Sequence, residues 1–330
     1  MGKRILVTGA CGSIGSALVE RLLDEGAIVC ALDQSEDGLF RLDQKFRDRH
    51  ANLRLFLGDV RDRDRLDLAM EGVDTVFHCA ALKHVYLSEY NPFEAMQTNI
   101  VGTHNIIQSA IAAKVGRVIL TSSDKSVNPS STMGATKLLG ERLVTAANNF
   151  TGKHKTRFSS VRFGNVINTN GSVLQIFKAQ LEQGVPLTIT SLGMTRFFLS
   201  MSQAVDLCID VSEQMVGGEI FVKNMGSCDI LSLARAISKG NEFQTTEIGL
   251  KPGEKLYEEL LTDSEAPRTV IDGSTYIVLT EMFDDLPGVM KSEYSKYDDL
   301  PRLSSPLRSD QSLLPQEEVE LMLHQAGCLE

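Results

Sequence analysis

Gly9, Gly12 and Gly15 fall at three-residue spacing in the run Thr8-Gly-Ala-Cys-Gly-Ser-Ile-Gly15, directly after the apolar stretch Arg4–Thr8. Residues without a Cβ let a backbone approach a pyrophosphate, and a helix beginning near Ser13 and Ile14 aims its first N–H groups at the negative charge. The chemistry implied is dinucleotide binding, with a purely structural glycine turn as the alternative. Asp33 closes the next apolar run, roughly 20 residues on, where a carboxylate binds an adenosine ribose diol and repels a 2′-phosphate. Gln34 and Ser35 follow it, not an arginine, so the expected cofactor is NAD in preference to NADP. The competing role for Asp33 is a helix cap.

Two further segments extend this site. Asp59 and Val60 follow the third apolar run, at the height of an adenine edge, and Ala80 and Ala81 follow the fourth, small enough for a cofactor to lie close. Asn99 either positions that backbone or bonds within its own helix.

These residues require a frame of strands. Arg4–Thr8, Ile28–Leu32, Leu53–Leu57, Thr75–Cys79, Arg117–Thr121 and Arg157–Phe163 alternate with amphipathic stretches, as consecutive βαβ units around a parallel sheet do. Ile14, Leu18 and Leu22 recur at helical spacing, and Gly26 supplies a stop. Beyond Gly164, strands at Pro186–Thr190 and Ile220–Val222 mix with helices around Val173–Gln183 and Gln203–Met215. The pattern predicts an α/β fold, a Rossmann-like doubly wound parallel sheet with a smaller interleaved α/β substrate lobe. Residues 1–165 form the NAD-binding domain and 197–225 return to it, while 166–196 and 226–330 make the substrate lobe and C-terminal tail. Residues 262–313, rich in Asp, Ser and Pro, read as mainly loops. Pro315, Val319, Met322 and Gly327 mark a final helix.

Composition bounds the function. The 330 residues are 42% hydrophobic and 23% charged, the balance of a globular protein able to bury a sizeable core. The net charge of -10 opposes nonspecific attraction to nucleic acid or anionic membranes, so an anionic ligand needs a local basic pocket. The six cysteines are scattered without a metal-like cluster, which suggests a reducing compartment. The chain opens directly into a strand and has no apolar run near the roughly 20 residues of a membrane helix, so a cytoplasmic location is expected.

Beyond the glycine turn, the segments Ala-Ala-Leu-Lys-His-Val at 80–85, Ser-Ser-Asp-Lys at 122–125, Met-Gly-Ala-Thr-Lys at 133–137, Arg-Phe-Gly-Asn-Val at 162–166, Met-Thr-Arg-Phe-Phe at 194–198 and Lys-Pro-Gly-Glu-Lys-Leu-Tyr-Glu-Glu-Leu at 251–260 occur in order. Over residues 3–270 the chain resembles the nucleotide-sugar 4,6-dehydratases of the extended short-chain dehydrogenase family, especially those acting on UDP-N-acetylglucosamine. The resemblance implies a 4-keto-6-deoxy sugar as product. It also implies a cofactor that takes a hydride from carbon 4 and returns it at carbon 6, with water lost across carbons 5 and 6.

Residue by residue, the resemblance makes Asp124 the acid that protonates the departing hydroxyl and Lys125 the base that removes the carbon 5 proton. A lysine base must be partly neutral, which desolvation and the nearby charges of Lys137 and oxidised nicotinamide favour. Met133 stands where most relatives have the tyrosine of a Tyr-x-x-x-Lys pair, and methionine cannot accept a proton. Some dehydratases of this group share the methionine. Ser123 is the candidate relay for the carbon 4 hydroxyl proton, and Lys137 is expected to hold the nicotinamide ribose. The bland alternatives are an exposed Asp-Lys turn, a loop serine and a solvated lysine.

For the substrate, Arg162, Asn165, Lys178, Arg196, Lys251 and Arg268 offer cations and donors to a nucleotide pyrophosphate. Arg196 is the leading candidate, because a buried guanidinium is costly without an anion. Glu254 suits sugar or ribose hydroxyls or a helix start. Lys83 and His84 follow Ala80-Ala81 toward the sugar. The segment 33–40 leans to retention of configuration at carbon 5, and UDP and GDP remain alternatives. Competing readings are a nucleotide-sugar 4-epimerase and a non-catalytic NAD-binding regulator; no basic stripe supports nucleic-acid binding. Helices around Pro92–Ala113 and Met133–Asn148 occupy the family's dimer positions, so a homodimer or larger assembly is expected.

Overall fold

The computed structural model describes residues 2–49, 51–152, 155–169 and 171–329. Its main sheet is built from β1 (Arg4–Thr8), β2 (Ile28–Asp33), β3 (Leu53–Leu57), β4 (Thr75–His78), β5 (Arg117–Ser123) and β6 (Arg157–Phe163). The rest of the chain adds β7 (Asn165–Val166), β8 (Leu187–Ile189), β9 (Thr195–Leu199), β10 (Ile220–Lys223), β11 (Gly226–Asp229), β12 (Thr245–Glu247), β13 (Glu259–Leu261), β14 (Thr269–Asp272), β15 (Thr275–Val278) and β16 (Leu307–Arg308).

The large sheet runs β14-β15-β10-β6-β5-β4-β1-β2-β3. Every pair from β3 to β10 is parallel, with Leu6 level with Cys30 on one side and Val76 on the other. Because β1 is flanked by β2 and β4, the order reverses there, and the carboxyl ends of these strands open a crevice. Two apolar layers cover the sheet. Leu18, Leu22, Val205 and Val211 pack on one side, with Leu66, Ile106, Ile107 and Val144 on the other. The doubly wound parallel sheet expected from the βαβ pattern is therefore present.

The edge of the sheet differs from expectation. Residues 262–313 are largely turns and loops, as expected, but within them β14 and β15 form an antiparallel hairpin on β10. Gly273 takes φ +56° at its tip, and Val270, Ile277 and Val278 are buried beneath it. The dipeptide Gly273-Ser274 between two β-branched runs is the sequence signal of such a hairpin. Burial of those side chains outweighs the loop-like composition around them.

A second layer holds the other end of the crevice. Strands β11-β9-β7 form a three-stranded sheet, and β13 pairs with β16. Val319 and Leu323 of the last helix, Gln316–Gln325, pack with Leu233 and Phe177, and Pro315 caps its start as expected. No helix among the described residues is long and apolar enough to cross a membrane.

Candidate active site

One cleft of about 820 Å³ runs across the carboxyl ends of the parallel strands to the second layer. At its floor, Gly9 leaves β1 with φ +67°, and a Cβ there would lie 2.7 Å from the Ala80 backbone nitrogen. Gly15 sits in the first turn of the helix Ser13–Asp24, where a Cβ would lie 2.1 Å from the Gly9 carbonyl oxygen. No side chain fits either place, so strand and helix meet closely and the helix start faces the cleft. Gly12, Ser13 and Ile14 line the same turn.

Asp33 ends β2 at the cleft wall. Its Oδ2 accepts from the Cys11 N–H at 2.9 Å and its Oδ1 from the Ser35 N–H at 2.9 Å, which fixes the carboxylate across the glycine turn. The helix-cap role belongs to Ser35, whose Oγ accepts from the Gly38 N–H. Val60, Ala80, Ala81, Lys83 and Asp59 also line the cleft. Asp59, however, already accepts from the Arg61 N–H and from its guanidinium at 2.8 and 2.6 Å.

Asn99 does not line the cleft. It is buried, its Oδ1 accepts from the Leu82 N–H, and its Nδ2 donates to the Leu82 carbonyl and Thr136 Oγ1. Asn99 thus clamps the loop carrying Ala80, Ala81 and Lys83 and is not a direct ligand.

At the end of β5 the chain enters the tight turn Asp124–Ser126, capped by Ser123. Ser123 Oγ donates to Asp124 Oδ1 at 2.8 Å, and Lys125 Nζ donates to the same oxygen at 3.0 Å. Ser123 and Lys125 line the cleft; Asp124 is fully buried behind them, and its Oδ2 has no hydrogen-bond partner among the described residues. Lys125 also donates to Asn165 Oδ1 at 3.4 Å and faces Glu258 Oε1 at 3.7 Å.

The charge state of Lys125 corrects the expectation of a partly neutral amine. Burial pulls its proton affinity down, but Asp124 and Glu258 more than offset this and hold the ammonium above its ordinary range. Lys137 is not among its neighbours in charge. Instead Lys137 lies buried under the cleft and donates to the Thr121 carbonyl at 3.0 Å, and burial lowers it to about 8. Below it His78 is neutral, lowered to about 3 by burial and by Lys137. Met133 is buried and lines the cleft, so a thioether occupies the place of a phenol.

The candidate substrate residues divide. Lys83, His84, Asn165, Arg196 and Glu254 line the cleft; Arg162, Lys178, Lys251 and Arg268 do not. Arg162 is 1% exposed and is spent between Glu141, at 2.7 Å, and Glu265, at 3.0 Å, with Nη1 donating to the Leu260 carbonyl. Desolvation of this cation is met by carboxylates of the chain itself, not by a ligand. Arg268 donates to the Leu279 carbonyl and pairs with Glu281, while Lys178 is half-buried and Lys251 exposed, both away from the cleft. Arg196 is not an unpaired guanidinium. It donates to the carbonyls of Thr195, Lys255 and Leu256 and faces Glu258 at 3.9 Å.

Glu258 and Glu141 are the residues that sequence reading missed. Nothing in Tyr-Glu-Glu-Leu separates Glu258, turned to the cleft, from Glu259, which accepts from Asn128. Glu141 lies one helical turn beyond Lys137, a spacing that hints only at a shared inner face.

A parallel sheet reversing at β1, with a glycine turn under the crevice, defines a Rossmann-type dinucleotide fold. The family model described as polysaccharide biosynthesis protein matches residues 5–280, and the chain belongs to that family. An uncharacterized membrane protein of Methanocaldococcus jannaschii is 47% identical over 273 residues, 80% of this chain and 81% of its own. A UDP-N-acetylglucosamine 4,6-dehydratase (inverting) of Campylobacter jejuni is 40% identical, covering 81% and 80%. A UDP-glucose 4-epimerase of Rickettsia typhi is 37% identical, covering 83% and 82%. Among solved structures, Pen from Bacillus thuringiensis superposes with a TM-score of 0.91 at 37% identity, covering 100% of this chain and 99% of that one. MoeE5, in complex with UDP-glucose and NAD, gives 0.65 at 25% identity, covering 76% and 87%. The resemblance to the 4,6-dehydratase group is thereby borne out.

Proposed function

We propose that the chain is an NAD-dependent enzyme that removes water from a nucleotide-activated N-acetylhexosamine, UDP-N-acetylglucosamine first, to give a 4-keto-6-deoxy sugar. The observation that carries this reading is the Asp124–Lys125 hydrogen bond of 3.0 Å at the cleft, with Met133 in place of a phenol.

The residues present suit the cofactor. A Cβ at Gly9 or Gly15 would clash with the backbone that shapes the turn, so the glycines keep the helix start close to the cleft, and Asp33 is preset by two backbone donors for a ribose diol. Gly9, Gly12, Ser13, Ile14 and Gly15 would hold the pyrophosphate, Ala80 and Ala81 the ring face, and Lys137 the nicotinamide ribose. Bound there, NAD supplies reversible hydride removal at carbon 4 and delivery at carbon 6.

The protein's own groups handle the protons. Moving one proton from Lys125 Nζ to Asp124 Oδ1 converts an ion pair into an amine and a carboxylic acid. The amine then takes the carbon 5 proton. The acid releases its proton through Ser123 Oγ to the departing carbon 6 hydroxyl, so water leaves; the Lys125 ammonium then returns a proton to carbon 5 as carbon 6 is reduced, and the proton shed by the carbon 4 hydroxyl passes through solvent to Lys125, which restores the ion pair. Lys83, His84, Asn165, Arg196 and Glu254 are the groups left on the cleft for the nucleotide sugar.

The reading is tested by incubating the protein with UDP-N-acetylglucosamine in deuterated water without reductant and following the sugar by NMR. A 4-keto-6-deoxy product with deuterium at carbon 5 is expected. UDP-N-acetylgalactosamine in its place would make the chain a 4-epimerase, the reading favoured by its Rickettsia typhi relative. Ring couplings decide carbon 5: segment 33–40 leans to retention, and the name of the Campylobacter jejuni relative favours inversion.

Assembly as a homodimer belongs to the same reading. Tyr86, Leu87, Tyr90 and Phe93 stand exposed on consecutive short helices beside the helix Thr132–Ala147. Light scattering of a monomer alone would refute it.

A further inference from the structure

Among the described residues, the dehydratase reading leaves unused one buried acid that lines the cleft. Glu258 is 3% exposed, yet it lines the cleft. Its Oε1 lies 3.7 Å from Lys125 Nζ and 3.9 Å from Arg196 Nε, and its Oε2 has no hydrogen-bond partner among the described residues. An unpaired carboxylate this deep is costly, so its burial requires the two cations it faces.

The backbone holding it is fixed from the far end of the chain. The Glu258 N–H donates to Ser309 Oγ at 2.9 Å, the Ser309 N–H returns to the Glu258 carbonyl at 2.9 Å, and Arg162 binds the Leu260 carbonyl at 2.7 Å. Those anchors leave the carboxylate little freedom to swing away. The charged groups facing it are Lys125 and Asp124 from the turn after β5, Arg196 from β9 and Lys255 from its own stretch. Lys255 spends its ammonium on the Val127 carbonyl.

We infer that Glu258 is a positioning residue for Lys125: with Asp124 it holds the ammonium between two carboxylates and sets the pH at which that ammonium yields its proton. The inference rests on the proposed role of Lys125 as base and adds the group that tunes it. An opposite charge within about 4–6 Å stabilises the charged form by about 1–3 pH units. Burial pushes the Glu258 carboxyl up, countered by Lys125, which is the reciprocal of the same contact. Removing the negative charge while keeping the shape therefore lets Lys125 deprotonate at lower pH.

The test is competitive acetylation of the full-length protein with acetic anhydride across pH, reading the Lys125 peptide by mass spectrometry. In Glu258→Gln the labelling midpoint is expected to fall by about 1–3 pH units, and Glu258→Asp, which keeps the charge, is expected to return most of it. The alkaline limb of turnover should move with the midpoint. An unmoved midpoint in folded Glu258→Gln would overturn the inference, because a structural role alone alters stability or rate without moving it. If Glu258→Gln does not fold, Glu258→Ala, which also removes the charge, decides, with a fall of the midpoint supporting the inference and an unmoved midpoint overturning it. A wild-type protein that turns over no nucleotide sugar would remove the dehydratase reading and leave the midpoint comparison intact.

Discussion

Lys125 Nζ lies 3.0 Å from Asp124 Oδ1, although these neighbours in sequence face opposite ways, Lys125 to the cleft and Asp124 into the protein. A tight turn of three residues rotates successive side chains by about 120°. The acid is thereby shielded from water and the base presented to a ligand, while one hydrogen bond keeps them in proton contact.

Removing either partner separates chemistry from binding. Asp124→Asn and Lys125→Ala are expected to lower turnover by about 10²–10⁴-fold, the usual worth of a positioned acid or base. Calorimetry should find NAD affinity little changed, since neither residue touches the glycine turn.

Gly15→Ala should do the reverse. Its Cβ would meet the Gly9 carbonyl at 2.1 Å, so the helix must move away from β1. Loss of NAD binding in the folded protein, checked by calorimetry beside circular dichroism, is the expected outcome.

Arg162→Met tests the buried ion network. It strands Glu141 and Glu265 without their cation, which costs about 3–5 kcal/mol. Urea denaturation at neutral pH measures the loss.

Lys137 gives the stability a pH signature. Its folded value of about 8 lies below the ordinary 10.5, so between these limits the unfolded chain binds the extra proton. Stability of the ligand-free protein should therefore rise with pH across this window, by up to about 3 kcal/mol. Lys137→Met should flatten that rise when the two proteins are compared by denaturation from pH 7 to 10.5.

Much of this molecule was legible in one dimension. Short β-branched apolar runs marked β1 to β6 and the helical spacing of Ile14, Leu18 and Leu22 marked the helix after β1, because strands buried on both faces and a helix buried on one impose those patterns on the residues themselves. The glycine turn and Asp33 were legible for the same local reason: backbone contact at Gly9 and Gly15 forbids any larger residue. Met133 and the Asp124–Lys125 neighbours also announced themselves by type and order.

What tertiary structure alone decided is which charges meet. Arg162 and Arg196 look equivalent as sequence, yet one is consumed by Glu141 and Glu265 and the other reaches the cleft. Glu258 joins Lys125 across 132 intervening positions of chain, a pairing no local pattern encodes. Electrostatic partners are chosen by distance in space and by shared desolvation, and both are set only when the second layer closes over the sheet. The amino-acid sequence by itself determined the sheet and the cofactor cradle; folding determined the charge on Lys125.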